Sequence, residues 1–451
     1  MKFVSTRNPD GPAVSFGEAL FRGIAPDGGL YHPVDVPDLR ALIRSLGEDA
    51  SFVDCAAAMI QGLFGDEYDA ETSRALALKS FSFTPELREL LPGLQLLDLF
   101  QGPSCAFKDY GASFLAAAME AELQRGDAGP RDRAVILTAT SGDTGSAVAN
   151  AFSGRENIDV VILYPSGRVS PLQEKQLTTL GGNIHALEVR GSFDDCQRMV
   201  KEAFAQEALR ERLSLTSANS INVGRLIPQS FYYVYAFAQL KDRDEDELVF
   251  CVPSGNFGNL TAGILAWTWG MPVTRFIAAS NANDVVPQYL ESGVFSPRPS
   301  VSTLANAMDV GNPSNFERLM HIFDPGAKNE QTAPLPTPMS GILTGCAVSD
   351  EKISATMKQT YRTTGQIVCP HTAAGVYAAQ RYLESERAGN TLVVTLATAH
   401  PAKFVEVCRD AIGLEPEMPE RLKRFLKLPK RSVVVENTLE ALSRELLDRF
   451  G

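Results

Sequence analysis

Short runs rich in Val, Ile and Leu, at 134–138, 159–164, 184–189, 248–252, 275–279 and 392–396, recur along this chain and limit what it can fold into. Each is strand-length and nearly all apolar, and helix-period segments at 144–152, 193–208 and 258–269 stand between several of them. Continuous apolar strands alternating with helices predict an α/β fold, with a mostly parallel sheet covered on both faces and ligands at the carboxyl ends of the strands. Three of the runs pass directly into small-residue loops. These are Thr140-Ser141-Gly142-Asp143-Thr144-Gly145, Ser254-Gly255-Asn256-Phe257-Gly258-Asn259, and the segment beginning at Thr398.

Glycine lets a backbone turn tightly and approach a ligand, and the free N–H groups at a helix start favour an anion. The 254–259 loop carries no acid and suits a phosphate. Asp143 makes the first loop poorer for a dianion, although its N–H groups suit a carboxylate. Either loop alone is equally consistent with a plain strand-to-helix turn. Asn219, Ser220, Asn222 and Arg225 lie within two turns of one another and offer amide, hydroxyl and guanidinium donors for phosphate or carboxylate. The plainer alternative is a helix N-cap beside a surface arginine.

Lys108 follows a Gly-Pro turn in Gly102-Pro-Ser-Cys-Ala-Phe-Lys-Asp-Tyr-Gly and precedes the helix-period residues Phe114, Leu115, Ala118, Met119 and Leu123. A helix N-terminus disfavours a cation, so an amine placed there is either offset by a neighbour such as Asp109 or kept uncharged as a nucleophile that can form an imine with a pyridoxal cofactor.

The remaining signals narrow the class. A net charge of −12 argues against nucleic acid and anionic membranes as partners. Seven cysteines without a C-x-x-C pair suit reduced thiols, and no apolar run suggests a signal peptide or a membrane span, so a cytoplasmic protein is expected. Five scattered histidines argue against a metal site. His400 is either near a ligand or part of turn chemistry. No phosphate-binding G-x-x-x-x-G-K, nucleophile-elbow G-x-S-x-G or dinucleotide G-x-G-x-x-G pattern is present. Residues 1–88 read as a mostly helical cap, with a strand at 3–4 and helices at 14–24, 39–45 and 52–64. Residues 89–408 read as the catalytic region and 409–451 as a docking tail, with a strand at 432–435 and a helix whose apolar face is Leu439, Leu442, Leu446 and Leu447. The Pro- and Gly-rich stretch 324–349 reads as a loop or insertion.

Taken together, PDGGLYHP (26–33), GPSCAFKDYG (102–111), LTATSGDTGSAVA (137–149), VILYPSGRVSPLQEKQ (161–176), SANSINVGRL (217–226), VPSGNFGNLTAG (252–263) and ATAHPAKF (397–404) resemble the threonine synthase family. These enzymes belong to the fold type II group that uses pyridoxal 5'-phosphate. The resemblance implies a tryptophan-synthase-β-like fold with two parallel-sheet α/β domains and an N-terminal cap, the smaller domain, about 113–225, being mobile. It implies that Lys108 bonds the cofactor aldehyde, that Ser254, Gly255, Asn256, Phe257, Gly258 and Asn259 hold its phosphate, and that Thr398 meets the pyridine nitrogen. By the same resemblance Ser141, Gly142, Asp143 and Thr144 take the substrate carboxylate, while Asn219, Ser220, Asn222 and Arg225 take the phosphate of O-phospho-L-homoserine. The sequence departs from the family at Asn259, where Asp is more usual, and in the 324–349 stretch. The implied reaction yields threonine, in a monomer or homodimer. A phospho-lyase giving 2-oxobutyrate and a non-catalytic metabolite-binding relative are the rivals.

Overall fold

In the computed structural model, residues 1–126, 133–140, 142–241, 247–326, 335–385 and 390–451 are described. Their strands are β1 (Phe3–Ser5), β2 (Tyr31–Pro33), β3 (Glu86–Leu91), β4 (Leu94–Asp98), β5 (Ala134–Ala139), β6 (Ile158–Pro165), β7 (Ile184–Arg190), β8 (Leu215–Thr216), β9 (Glu247–Pro253), β10 (Arg275–Ser280), β11 (Leu343–Ala347), β12 (Thr391–Ala397) and β13 (Ser432–Glu436). The apolar runs do form strands, but they divide between two sheets. The larger has the order β11-β10-β9-β12-β4-β3 and is parallel except for β3; the smaller, β13-β7-β6-β5-β8, is parallel throughout. Every residue of β4, β5 and β12 is buried, because helices cover both faces.

Several elements differ from the sequence expectation. β3 and β4 lack a clear apolar run: β3 is mostly exposed or half-buried because it is an edge strand, and it begins before the boundary at residue 89. The stretch expected to be a loop holds a helix, Thr337–Ile342, and β11, while residues 327–334 lie outside the described part. The small residues of β11 fit a crowded edge, where a Cβ on Gly345 would come within 2.6 Å of Pro287 Cα. A helix at Ala70–Ser80, N-capped by Asp69, has too weak an apolar stripe to show in the sequence. In the tail, β13 pairs in parallel with β7, and the last helix buries Leu442 and Leu446, whereas Leu447 is 37% exposed and off the packed face.

The cap packs on the helix that begins at Lys108. Phe16 lies against Phe114 with centroids 6.3 Å apart, and Phe52 meets Tyr110 edge-on at 5.4 Å. Such pairs add to the burial energy of each ring, so the cap fixes the helix whose first residue is the candidate nucleophile.

Candidate active site

Lys108 is the first residue of the helix Lys108–Arg125, which starts without a side-chain cap. The turn before it is tied to the end of β12. Phe107 N–H donates to the Thr398 carbonyl at 2.9 Å, and His400 N–H donates to the Cys105 carbonyl at 3.0 Å. Lys108 and Thr398, far apart in sequence, are therefore neighbours at the carboxyl end of the large sheet. Asp109 does not neutralise Lys108. Its carboxylate turns back to accept the Ser104 N–H at 2.9 Å, and burial pushes it up to about 6. Burial likewise lowers the Lys108 ammonium below its ordinary range; Asp143 opposes this, and the charges of Lys403 and Arg225 add to it.

The 254–259 turn follows β9. A Cβ on Gly255 would come within 2.7 Å of Met308 Cα, so no side chain fits there, and Phe257 adopts a left-handed φ of 60° to start the helix Gly258–Thr268. No side chain caps that helix and no acid lies in its first turn. Asn256 spans two neighbouring segments: Nδ2 donates to Ser220 Oγ at 2.8 Å, and Oδ1 accepts the Ser314 N–H at 2.5 Å. Asn259 is not turned toward solvent. Its Oδ1 accepts the hydroxyls of Tyr232 at 2.6 Å and Tyr233 at 2.7 Å, and its buried Nδ2 has no partner. Asn315 Nδ2, also buried and unpaired, lies 3.3 Å from where a Gly258 Cβ would stand. Open helix N–H groups, two unpaired amide donors and no acid form a donor set that fits a phosphate dianion.

Around the end of β5, Thr140 Oγ1 accepts the N–H groups of Gly142 at 3.0 Å and Gly145 at 2.9 Å. This leaves the N–H groups of Asp143 and Thr144 at the helix start without an acceptor among the described residues. Ser141 lies outside the described residues. Burial alone would raise the Asp143 carboxyl, but Lys403 and then Lys108 outweigh that and hold it well below the usual range. Lys403 Nζ is 2.6 Å from Asp143 Oδ1, and Gln173 Nε2 donates to the same oxygen at 3.1 Å.

The 219–225 cluster divides by role. Asn219 Oδ1 accepts the Thr138 hydroxyl at 2.6 Å, and Ser220 meets Asn256, which brings this segment beside both turns. Asn222 has nothing to spare for a ligand. Its Oδ1 accepts the Gly224 N–H, its Nδ2 donates to the carbonyls of Leu20 and Ser217, and it is fully buried as an N-cap. Arg225 is buried, donates from Nη1 to the Ala218 carbonyl at 2.7 Å, and has an unpaired Nε. No carboxylate among the described residues pairs with it, and burial pushes it down to about 10. A buried guanidinium without an acid partner is costly, which suits a site whose anion is the ligand.

Sequence reasoning did not single out Lys403, His371, Asn315 or Arg318, because burial and long-range pairing leave no local pattern. His371 Nε2 accepts the Ala307 N–H at 3.0 Å, and burial pushes the ring down to about 4, with Asp143 opposing and Lys108 and Lys403 adding. His400 is turn chemistry: its Nδ1 accepts the Ala402 N–H at 3.1 Å and caps a 3₁₀ turn.

Comparison with known proteins identifies the family. A family model described as "Pyridoxal-phosphate dependent enzyme" matches residues 94–398; "Threonine synthase N terminus" matches 2–81, and "Threonine synthase, C-terminal" matches 372–445. The threonine synthase of Haemophilus influenzae is 40% identical over 99% of this chain and 100% of its own. A crystal structure of PLP-bound threonine synthase from Brucella melitensis superposes with a TM-score of 0.92 at 35% identity, covering 100% of this chain and 99% of that one. The Escherichia coli threonine synthase structure gives 0.87 at 38% identity, with both chains covered fully. With matches that run from the cap through the catalytic sheets to the tail, the chain belongs to the threonine synthase family of pyridoxal-phosphate-dependent enzymes.

Proposed function

We propose that the protein converts O-phospho-L-homoserine and water to L-threonine and phosphate, with pyridoxal 5'-phosphate carried by Lys108. The observation that carries this reading is the placement of a buried amine among donor groups that lack their own anions: the 254–258 turn with Asn259 and Asn315 on one side, and Arg225 on the other.

Gly255, Asn256, Phe257 and Gly258 would hold the cofactor phosphate through main-chain N–H groups, with the Asn259 and Asn315 amides as further donors. Thr398 would meet the ring nitrogen with a neutral hydroxyl. When bound, the cofactor supplies an aldehyde and an electron-withdrawing ring that takes up charge as protons leave the substrate's α and β carbons. Lys108, which burial shifts toward its neutral form, would take a proton at Cα and return it. The N–H groups of Asp143 and Thr144, with Gly142 and Ser141 in the same turn, orient the substrate carboxylate. Arg225, Ser220 and the Asn219 amide hold the substrate phosphate and stabilise it as it leaves. Asn222 acts by shaping the turn that presents Arg225. The two turns that take the substrate's anionic groups belong to the small-sheet unit, about residues 113–225, which we expect to move against the Lys108 side to exclude water. A cytoplasmic setting is supported by seven unpaired cysteines.

Incubating the purified, cofactor-loaded protein with O-phospho-L-homoserine tests the assignment. Equimolar threonine and phosphate are expected. Phosphate with 2-oxobutyrate would reassign the chain as a phospho-lyase, and no phosphate release would reject the catalytic reading.

A further inference from the structure

Lys403 is a buried cation that the reaction above does not use. It ends the 3₁₀ turn Pro401–Lys403 beyond β12, and its side chain is fully screened from solvent. Its ammonium touches Asp143 Oδ1 at 2.6 Å and donates to the Ser104 carbonyl at 2.9 Å. The first contact belongs to the turn after β5 in the small sheet. The second belongs to the turn that delivers Lys108. One side chain therefore ties the carboxylate turn of one sheet to the lysine turn of the other.

The charged and titratable groups facing Lys108 come from five places: Asp143 from the helix after β5, Lys403 from beyond β12, Arg225 from the helix Val223–Leu226, His371 from the helix Pro370–Leu383, and Asp109 beside it, turned to Ser104. Asp143 is the anion that acts on Lys108 and so favours its ammonium form. It would also repel a substrate carboxylate arriving at the same turn. Lys403, in direct contact with that carboxylate, opposes both effects.

We propose that Lys403 is a positioning residue: by pairing with Asp143 and bonding the Ser104 carbonyl, it presents a neutral turn to the substrate carboxylate and offsets the pull of Asp143 on Lys108. The inference rests on the reading of Lys108 as the cofactor lysine.

The test uses cofactor-loaded parent protein, Lys403→Met, Lys403→Arg, Asp143→Asn and the double variant Lys403→Met/Asp143→Asn. The visible absorption of the lysine-bound cofactor is titrated against pH, with kcat and KM measured in parallel. Lys403→Met is expected to move the titration midpoint up by about one pH unit or more, and to raise KM more than it lowers kcat. Asp143→Asn should move the midpoint down. The double variant should return it toward the parent value, and Lys403→Arg should hold it there. If Lys403→Met does not fold, the Asp143→Asn shift and its reversal in the double variant still decide the matter. A midpoint common to all variants, in a parent that titrates normally, would overturn the proposal. A parent with no lysine-bound absorption would instead remove the reading of Lys108 on which it rests.

Discussion

At the scale of single residues, burial without a direct ion-pair partner among the described residues is what marks the candidate chemistry. Arg225 and Lys108 are both pushed toward their neutral forms by burial, which a surface arginine or lysine would not be. Replacing Arg225 with Met should lower kcat/KM for the phosphorylated substrate by about a hundredfold or more, since a charge-assisted contact to a leaving phosphate is lost. Steady-state kinetics would show it. Asp109 gives a pH-dependent prediction. Its folded pKa of about 6 lies above the ordinary value of 3.8, so the folded state holds the proton more tightly. Stability from this group is therefore greatest below about pH 4 and is lost as pH rises toward 6, by at most about 3 kcal/mol. Asp109→Asn imitates the protonated form, so its melting temperature relative to the parent should rise between pH 4 and pH 7. A constant difference across that range would contradict the assignment. Gly255→Ala should weaken cofactor affinity, because the added methyl would clash with the backbone of Ala307 and Met308.

At the scale of elements, the apolar runs announced the interior strands because those strands are buried on both faces and need no polar residues. β3 and β11 were invisible for the opposite reason. They are the two edges of the large sheet, so their side chains answer to solvent and to one neighbour, and no strand period survives. The C-terminal helix shows how a heptad-like pattern misleads by one position. Leu446 is fully buried against the small sheet while Leu447 is not. Leu446→Ala should cost about 2–4 kcal/mol in denaturant unfolding and Leu447→Ala less than about 0.5. Equal losses would place the helix in a different rotation. The tail also reaches the lysine turn. Arg421 donates to the Phe100 carbonyl at 3.0 Å and to Cys105 Sγ at 2.9 Å, so this end of the chain braces the segment that carries Lys108.

At the scale of the whole molecule, the site is assembled from turns at the carboxyl ends of strands in two sheets and is held by contacts that no local pattern encodes. The glycine-rich turns and Lys108 were readable because their chemistry is carried by adjacent residues. Lys403 and Arg318 were not, since most of their partners lie far away in sequence. Arg318 is the clearest case: it donates to the Tyr31 carbonyl of the cap at 3.1 Å, to Asn315 Oδ1 at 2.7 Å and to the Ile221 carbonyl at 2.9 Å. The cap is thereby wired to Asn315, beside the 254–259 turn, and to Ile221 in the 219–225 segment. Arg318→Ala should lower stability by about 3–5 kcal/mol through the acceptors it strands, and should raise KM as well. A stability loss with unchanged KM would confine the residue to packing. The account as a whole depends on which amine bears the cofactor, and a covalent trap asks that directly. The cofactor-loaded protein is reduced with borohydride, digested and mapped by mass spectrometry. The pyridoxyl group should be found on Lys108 alone, whereas a label on Lys403 or another lysine, with Lys108 unmodified, would contradict the account.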